Sequence, residues 1–319
     1  MYKFLTFLLL FLFLCGIQAQ SYCLEVDFSF DIGLKGGTTQ ESVYEDETCI
    51  SRSDWMDKAV PFTNFSGMFR TNNFLFKLNL TLAAPLISGE MEDYDFLIPD
   101  NENPSRYAWH TAYLDKDFSC GAEIGYEFLF NYWYITPKIG FQYRSLKWTA
   151  SDGYLQYPAT GQWTGDEQKV YVIGSVASYE QAIWFPYAAV EAGIHYTFPY
   201  EGKLQIAVGV GVYPYMWAET NDTHFLRNLQ FNNSLSGGLG LNYELTVSFF
   251  PEHTNGIGFI IRYKNENILN MKGSATSNET GISSGSLLIT EGYGSRIETM
   301  QSSYTMGIII PVYNIGDKS

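Results

Sequence analysis

Two pairs of residues have the types and the spacing that hydrolysis requires. Asp93 and Asp95 are separated by one residue, and so are Asp222 and His224. On a β-strand, side chains two residues apart point to the same side. A carboxylate beside an imidazole fixes its tautomer and raises its basicity, and a facing acid pair could hold a water molecule for attack on a carbonyl. The pairs therefore predict a hydrolytic site, provided that the fold brings them together.

Strands, not helices, must position these pairs. Apolar side chains alternate with polar or small ones over residues 24–34, 74–82, 205–212, 243–249 and 257–263. This period of two is typical of a strand with lipid on one face and a wet interior on the other. Beyond the first 19 residues, no amphipathic helical pattern and no apolar run of membrane-spanning length occurs.

The connections between strands alternate in length. Short turn signals occur at 70–73, near 131, at 199–202 and at 251–255, and long polar stretches run over about 35–54, 88–108, 149–168, 219–233 and 265–300. Five long and four short connections predict an all-β fold: a single ten-stranded antiparallel transmembrane β-barrel with long extracellular loops. The alternative is a soluble β-sandwich, whose loops need not alternate in length.

Both pairs are expected at the same mouth of this barrel. Counting from Lys77, odd-numbered residues face the interior, so Asp93 and Asp95 point inward at the end of the third strand. Asp222 and His224 fall in the fourth long connection, which opens at the same end.

The orientation of the second pair depends on a change of register. In the strand that begins at Lys203, even-numbered residues face lipid, and Asp222 and His224 are even-numbered. Either a bulge lies between Trp217 and Asn221, or the strand has already left the membrane there.

Composition excludes several classes of protein. The formal net charge of −15 would repel nucleic acid, and an aromatic content of 17% is incompatible with disorder. Six acids and no base lie within residues 90–102, which favours basic polypeptide partners. No tight cluster of His, Cys and carboxylate residues suggests a metal, so we expect neither a metal nor a cofactor.

The first 19 residues have the pattern of an export signal. Lys3, an apolar run over 4–14 and Ala19 predict a secretory signal peptide over residues 1–19, followed by one barrel domain over 20–319. Cleavage would leave Cys23, Cys49 and Cys120, so at most one disulfide could form, and a Cys23–Cys49 bridge is one possibility.

Two motifs resemble a known family. Residues 89–96, Gly-Glu-Met-Glu-Asp-Tyr-Asp-Phe, resemble the Gly-x-Met-x-Asp-x-Asp-aromatic signature of the omptin family of outer-membrane endopeptidases, and residues 221–224 resemble its Asn-Asp-x-His motif. The resemblance extends over about 24–313. It implies a cleft at the extracellular rim, a dyad of Asp222 and His224 with His224 as general base, and Asp93 and Asp95 across the cleft, with Asp93 helping to hold the attacking water. It implies no covalent acyl-enzyme.

The resemblance also concerns substrate and lipid. Glu41 falls where the family places an acid for a basic substrate side chain, but Thr220 stands where a second acid is common. The family binds lipopolysaccharide through basic residues on the barrel exterior, and here Ala182 replaces an expected arginine, with Arg144 and Lys147 as partial substitutes. Which outer-membrane lipid the barrel uses is therefore left open.

Two other interpretations of the same residues stand beside hydrolysis by water. Ser105 could be considered as a nucleophile, although a loop serine is its simpler role. The protein could instead be a non-catalytic barrel, acting as an adhesin or a small channel, in which the acids would serve solubility or cation selectivity. Ten strands leave a narrow lumen that side chains can largely fill, which disfavours an open pore.

Overall fold

The computed structural model describes residues 24–98, 101–159, 161–199, 201–254, 256–279 and 290–315. The predicted signal peptide and Cys23 lie outside these residues, so the cleavage site and the Cys23–Cys49 bridge stay predictions. Within the described part of the chain, no helix is long and apolar enough to cross a membrane.

Antiparallel strands make up nearly all of the described chain, with one short 3-10 helix at Glu252–Thr254. The strands are β1 (Leu24–Glu45), β2 (Thr48–Thr71), β3 (Phe74–Ala83), β4 (Leu86–Asp95), β5 (Arg106–Tyr126), β6 (Phe128–Leu129), β7 (Trp133–Gln156), β8 (Val170–Tyr171), β9 (Ser175–Phe198), β10 (Gly202–Tyr213), β11 (Met216–His224), β12 (Leu229–Gly237), β13 (Leu239–Pro251), β14 (Gly258–Glu279) and β15 (Thr290–Ile315).

These strands form a closed barrel of ten segments. Three segments are interrupted by short breaks, so that β3 continues into β4, β10 into β11, and β12 into β13. β6 and β8 are two-residue strands outside the ten segments. The last strand, β15, pairs with the first, β1, along almost its whole length, which leaves the ring without an open edge. The predicted ten-stranded antiparallel barrel is confirmed.

An apolar belt surrounds one part of the barrel, which we call the lower part. Alternate side chains there are exposed to the outside although they are large and apolar, which is the surface that a lipid bilayer requires. They include Phe28, Phe30, Ile32, Leu34, Leu78, Leu82, Ile139, Val190, Val208, Val210, Ile261 and Met306.

The barrel continues well above this belt as strand. Large parts of the polar stretches that we expected to be long loops are paired β-structure, with residues 157–159 and 161–168 as an exception. β1 and β2, for example, meet at a turn of two residues, where Asp46 adopts a positive φ of 53°. β11 and β12 are likewise joined by only four residues, 225–228. Outside the belt both faces of a strand can be polar, so the alternation that reveals strands disappears.

The change of register before the second pair occurs earlier than we expected. Tyr213, which ends β10, and Met216, which begins β11, are both buried inside the barrel, so the inward parity switches across Pro214 and Tyr215. The predicted position, between Trp217 and Asn221, is therefore wrong by a few residues. A proline cannot donate a ladder hydrogen bond, which explains why the strand breaks there.

An apolar layer fills the interior above the belt on the side of β2, β4, β5, β7 and β9. Trp55, Trp148 and Tyr179 lie almost parallel, with ring centroids 6.0 to 6.1 Å apart. Each such aromatic pair contributes about 0.5–1.5 kcal/mol beyond its buried area. We define the apolar layer by these three residues together with Val60, Met91, Ala112, Leu114, Leu146, Ala150 and Ala177.

An ion-pair layer lies directly below it. Its pairs cross the interior and join Lys35 to Asp117, Arg144 to Glu266 and Arg262 to Asp31. Arg144 therefore faces inward and is only 5% exposed, so our expectation that it substitutes for an exterior lipid-binding arginine is wrong. Its even number places it on the same face as the buried Tyr134 and Thr136 of β7.

Candidate active site

β4 carries the acid pair. Met91, Asp93 and Asp95 occupy successive inward positions, and Met91 packs in the apolar layer beneath the two carboxyl groups. A Cβ atom at Gly89 would collide with the carbonyl oxygen of Met56, so a glycine is needed for β4 to lie this close to β2. The glycine and methionine of the motif thus support the position of its two aspartates.

The neighbouring acids of this strand lie on its outer face. Glu92 accepts hydrogen bonds from the hydroxyl groups of Tyr94 and Tyr107, each at 2.8 Å. Glu90 accepts one from the indole of Trp109 at 3.2 Å and lies 3.1 Å from the Lys58 ammonium. Two of the six acids of residues 90–102, Glu90 and Glu92, therefore do not face the barrel interior.

β11 carries the imidazole and its carboxylate. The Nε2–H of His224 donates to Oδ2 of Asp222 at 2.8 Å, as the spacing of two residues predicts for one face of a strand. The ring of Phe231, on the adjacent β12, meets the imidazole edge to face at 5.9 Å. The hydrogen bond leaves Nδ1 as the nitrogen with a free lone pair, and hence as the basic atom of the ring.

The acids around His224 raise its basicity. Burial alone would lower the pKa of His224, but the charge and hydrogen bond of Asp222 and the charge of Asp93 raise it to about 9. Asp93 of β4 therefore lies near enough for its charge to act on the imidazole across the cleft.

A direct contact also joins the two sides. The Nη2 group of Arg227, three residues beyond His224, donates to Oδ2 of Asp95 at 3.2 Å. The same group donates to the hydroxyl of Tyr157 at 3.2 Å. Two segments that are 132 residues apart in sequence thus meet over one cleft, which we define by Glu41, Asp93, Asp95, Asp222, His224 and Arg227.

Within the described residues, Asp93 is the member of the acid pair that has no lysine or arginine at ion-pair distance, whereas Asp95 has two. Burial and the adjacent charge of Asp95 raise the pKa of Asp93 to about 7. Its Oδ1 atom is buried and has no hydrogen-bond partner among the described residues. A buried carboxylate oxygen of this kind is a strong acceptor for a water molecule or a substrate N–H group.

A polar cluster lies beside the dyad. Glu41 accepts hydrogen bonds from Asn233, at short range, and from the hydroxyl of Thr220 at 3.4 Å, while Asn233 also donates to Thr220 at 3.0 Å. Burial and the charge of Asp222 raise the pKa of Glu41 well above 4.5. The two residues that the sequence suggested for substrate binding, Glu41 and Thr220, are therefore in contact.

Other candidates from the sequence have structural roles. The hydroxyl of Ser105 donates to the carbonyl oxygen of Asp95 at 2.9 Å and accepts from the amide of Leu97 at 3.1 Å, so it stabilises the loop after β4. His110 is buried and is hydrogen-bonded through Nδ1 to the carbonyl oxygen of Asp152. Glu219 is exposed on the outer face of β11, where the even-numbered residues face inward.

Sequence reasoning missed Asn233 and Arg227. Asn233 lies on β12 and faces inward beside Thr220, its partner in the β11–β12 register. Arg227 lies in the turn between these strands. The only sequence signal for Arg227 was its position three residues after His224. That signal is weak, because no pattern distinguishes one polar residue in a short turn from another.

The donors present offer little for a metal. Among the described residues, no group of three or more His, Cys, Asp or Glu side chains is arranged to hold a metal ion.

Comparison with known proteins adds independent information. The family model described as Omptin family matches residues 23–309. The plasminogen activator of Yersinia pestis is 29% identical over 217 residues, a match that covers 64% of this chain and 64% of that protein, slightly less than two thirds of its length. The crystal structure of the outer membrane protease OmpT from Escherichia coli superposes with a TM-score of 0.79 at 15% identity, covering 90% of this chain and 97% of that one. At this identity, the structural likeness concerns the fold.

Proposed function

The chain belongs to the omptin family, and on that premise we propose that it is an outer-membrane endopeptidase that cleaves polypeptides beside basic residues. In this proposal His224 removes a proton from a water molecule that Asp93 helps to hold, and the resulting hydroxide attacks the peptide carbonyl. The protonated imidazole then returns the proton to the leaving amine. No covalent intermediate forms, so Ser105 needs no chemical role.

The observation that carries the proposal is the convergence of β4 and β11 over one cleft. Asp222 holds His224 through Nε2–H, so the free lone pair of Nδ1 is available as the base. The unpartnered Oδ1 of Asp93 supplies an acceptor for the attacking water. A base and a water acceptor on opposite walls are the minimum that water-mediated hydrolysis requires.

The preference for basic residues rests on charge. Four carboxyl groups, those of Glu41, Asp93, Asp95 and Asp222, lie in the cleft beside one guanidinium and one imidazole, and a cleft rich in carboxyl groups attracts cationic side chains. Glu41 is the carboxyl group assigned to the basic side chain of the substrate, and Thr220 and Asn233 hold it in place.

The same arrangement supports an extracellular orientation. The apolar belt surrounds the lower part, and the cleft lies at the upper end, opposite the short turn near Asn72. In outer-membrane barrels, short turns face the periplasm and the extended end faces outward. We therefore assign the cleft to the cell exterior.

A channel is a weaker interpretation of this barrel. The apolar layer and the ion-pair layer occupy the interior between the cleft and the lower end. An ion would have to pass the ion pairs and the buried apolar side chains, and apolar side chains cannot replace its hydration shell.

The test is cleavage of a peptide library by the purified, refolded barrel. We expect cleavage beside Lys or Arg, and about 10³-fold slower turnover in His224→Ala and Asp93→Ala, because each removes one participant in proton transfer or water binding. His253→Ala is the matched control, because His253 is exposed at the opposite end of the barrel. Equal rates in the parent, His224→Ala and Asp93→Ala would refute the proposal, and conductance without hydrolysis would favour a channel.

A further inference from the structure

Arg227 is a cation at the centre of an acidic cleft, where a basic substrate would have to bind. Its side chain is 39% exposed, yet its guanidinium is tied at 3.2 Å to both Asp95 and Tyr157. If attraction of basic peptides were the only requirement of the cleft, a fixed positive charge here would be unfavourable. The contacts of Arg227 therefore call for another explanation.

The local backbone fixes the start of this side chain. The four residues between β11 and β12 form a tight turn in which the amide of Arg227 donates to the carbonyl oxygen of His224 at 3.2 Å. Asn228, the next residue, adopts a positive φ of 50°, a conformation that asparagine tolerates well. Arg227 is thus attached to the strand of the general base and reaches across to the strand of the acid pair.

We propose that Arg227 is a positioning residue of the hydrolytic site: its guanidinium neutralises Asp95 and draws that carboxyl group aside, so that Asp93 alone serves the attacking water. This inference rests on the proposed function, since it assigns a role within the same site. It explains why two inward acids of one strand have different surroundings. The carboxyl group of Asp95 lies 3.2 Å from the guanidinium of Arg227 and 3.9 Å from that of Arg106, whereas Asp93 contacts neither guanidinium.

The charges around the site agree with this division. Seven titratable or charged groups face one another here: Arg227 itself, Asp93, Asp95, Asp222, His224, Tyr157 and Arg106. Among them, Asp95 raises the pKa of Asp93, and Arg227 lowers it. Arg227 also lowers the pKa of His224, against the carboxylates that raise it. Removing the guanidinium would therefore leave both the imidazole and Asp93 more firmly protonated at neutral pH.

Arg227→Gln tests the proposal, because it removes the charge and keeps a polar side chain. We expect kcat for a basic peptide to fall about tenfold or more, while KM does not rise, since the substrate no longer meets a like charge. The rising limb of the pH profile moves to higher pH, and so does the NMR titration of the His224 imidazole. Arg227→Lys restores most of the activity and the parental titration.

Arg52→Gln is the matched control. Arg52 is an arginine of the same rim, but it lies on the outer face of β2 over the ring of Tyr94, so its loss should move neither the profile nor the titration. An unchanged His224 titration in Arg227→Gln, or a higher KM with unchanged kcat, would overturn the proposal. If the parent cleaves no peptide at all, the proposed function fails, and the imidazole titration still decides whether Arg227 acts on the pair.

Discussion

The ion-pair layer and the cleft are built from the same residue types, but their charges are matched differently. In the ion-pair layer each inward acid has a basic partner from another strand, as in the pairs Arg144–Glu266 and Lys35–Asp117. In the cleft, the imidazole is bonded to Asp222 and only lies within the field of Asp93, whose Oδ1 has no hydrogen-bond partner in the described part of the chain. The paired charges of the ion-pair layer stabilise the barrel, whereas the incompletely paired carboxyl groups of the cleft are available to water and substrate. Equivalent substitutions should therefore affect stability in one layer and turnover in the other.

The largest expected effect is in the cleft. Asp222→Asn removes the acceptor that holds Nε2–H of His224 and the main charge that raises its basicity. We expect kcat to fall about 10³-fold with little change in thermal stability. Peptide cleavage and heat-induced unfolding of the refolded barrel measure the two quantities, and a full rate in this variant would show that the dyad is incidental.

The ion-pair layer should respond in the opposite way. Glu266→Gln leaves the guanidinium of Arg144 buried without its carboxylate. The same substitution also weakens the contacts of that carboxylate with Tyr213 and Lys264. Loss of one member of a buried pair costs about 3–5 kcal/mol. We expect this loss in urea unfolding and less than about a threefold change in kcat. A large fall in kcat without loss of stability would contradict the proposal that the ion-pair layer stabilises the barrel and the cleft carries the chemistry.

Substrate preference should depend on the polar cluster beside the dyad. Glu41→Gln removes the carboxyl group proposed to pair with a basic side chain, so kcat/KM for Lys and Arg peptides should fall about 10- to 100-fold. Glu219→Gln is the control on the outer face of the barrel and should have no effect. Equal effects of the two variants would mean that only overall charge matters.

The pH dependence follows from the raised basicity of the imidazole. The pKa of His224 is about 9, so the base is protonated and inactive below that value. We expect kcat/KM to rise about tenfold per pH unit below about pH 9 and to level off above it. In Asp93→Asn, the residual activity and the imidazole titration should move to lower pH, because one charge that raises the pKa is removed. A flat profile from pH 6 to pH 9 would contradict this assignment.

The smallest expected effect is that of a chelator. The proposed chemistry uses an imidazole and carboxylates alone, so EDTA should leave the cleavage rate unchanged within error. Loss of activity that zinc or calcium restores would require a different mechanism.

The sequence was informative where one face of a strand meets lipid. The alternating lengths of the connections predicted ten strands, and the alternation around Lys77 predicted the inward direction of Asp93 and Asp95. The structure has both features. In β7 the large apolar residues Ile139 and Phe141 are odd-numbered and exposed, so the same alternation places the even-numbered Arg144 inside the barrel, and its direction was predictable from the sequence.

Above the belt the sequence said less. Strands that are polar on both faces carry no periodic signal, so β1 and β2 near Glu41 looked like a loop. The register switch at Pro214 was misplaced because a short break can change parity at several neighbouring positions. Asn233 and Arg227 acquire their partners only through the closure of the barrel, which no local pattern encodes.

A high-resolution crystal structure of the refolded barrel tests the central claim most directly. We predict one ordered water molecule within about 2.6–3.2 Å of both the imidazole of His224 and the carboxyl group of Asp93. A separation between these two groups much greater than about 6 Å, the span of two hydrogen bonds through one water, would contradict the mechanism.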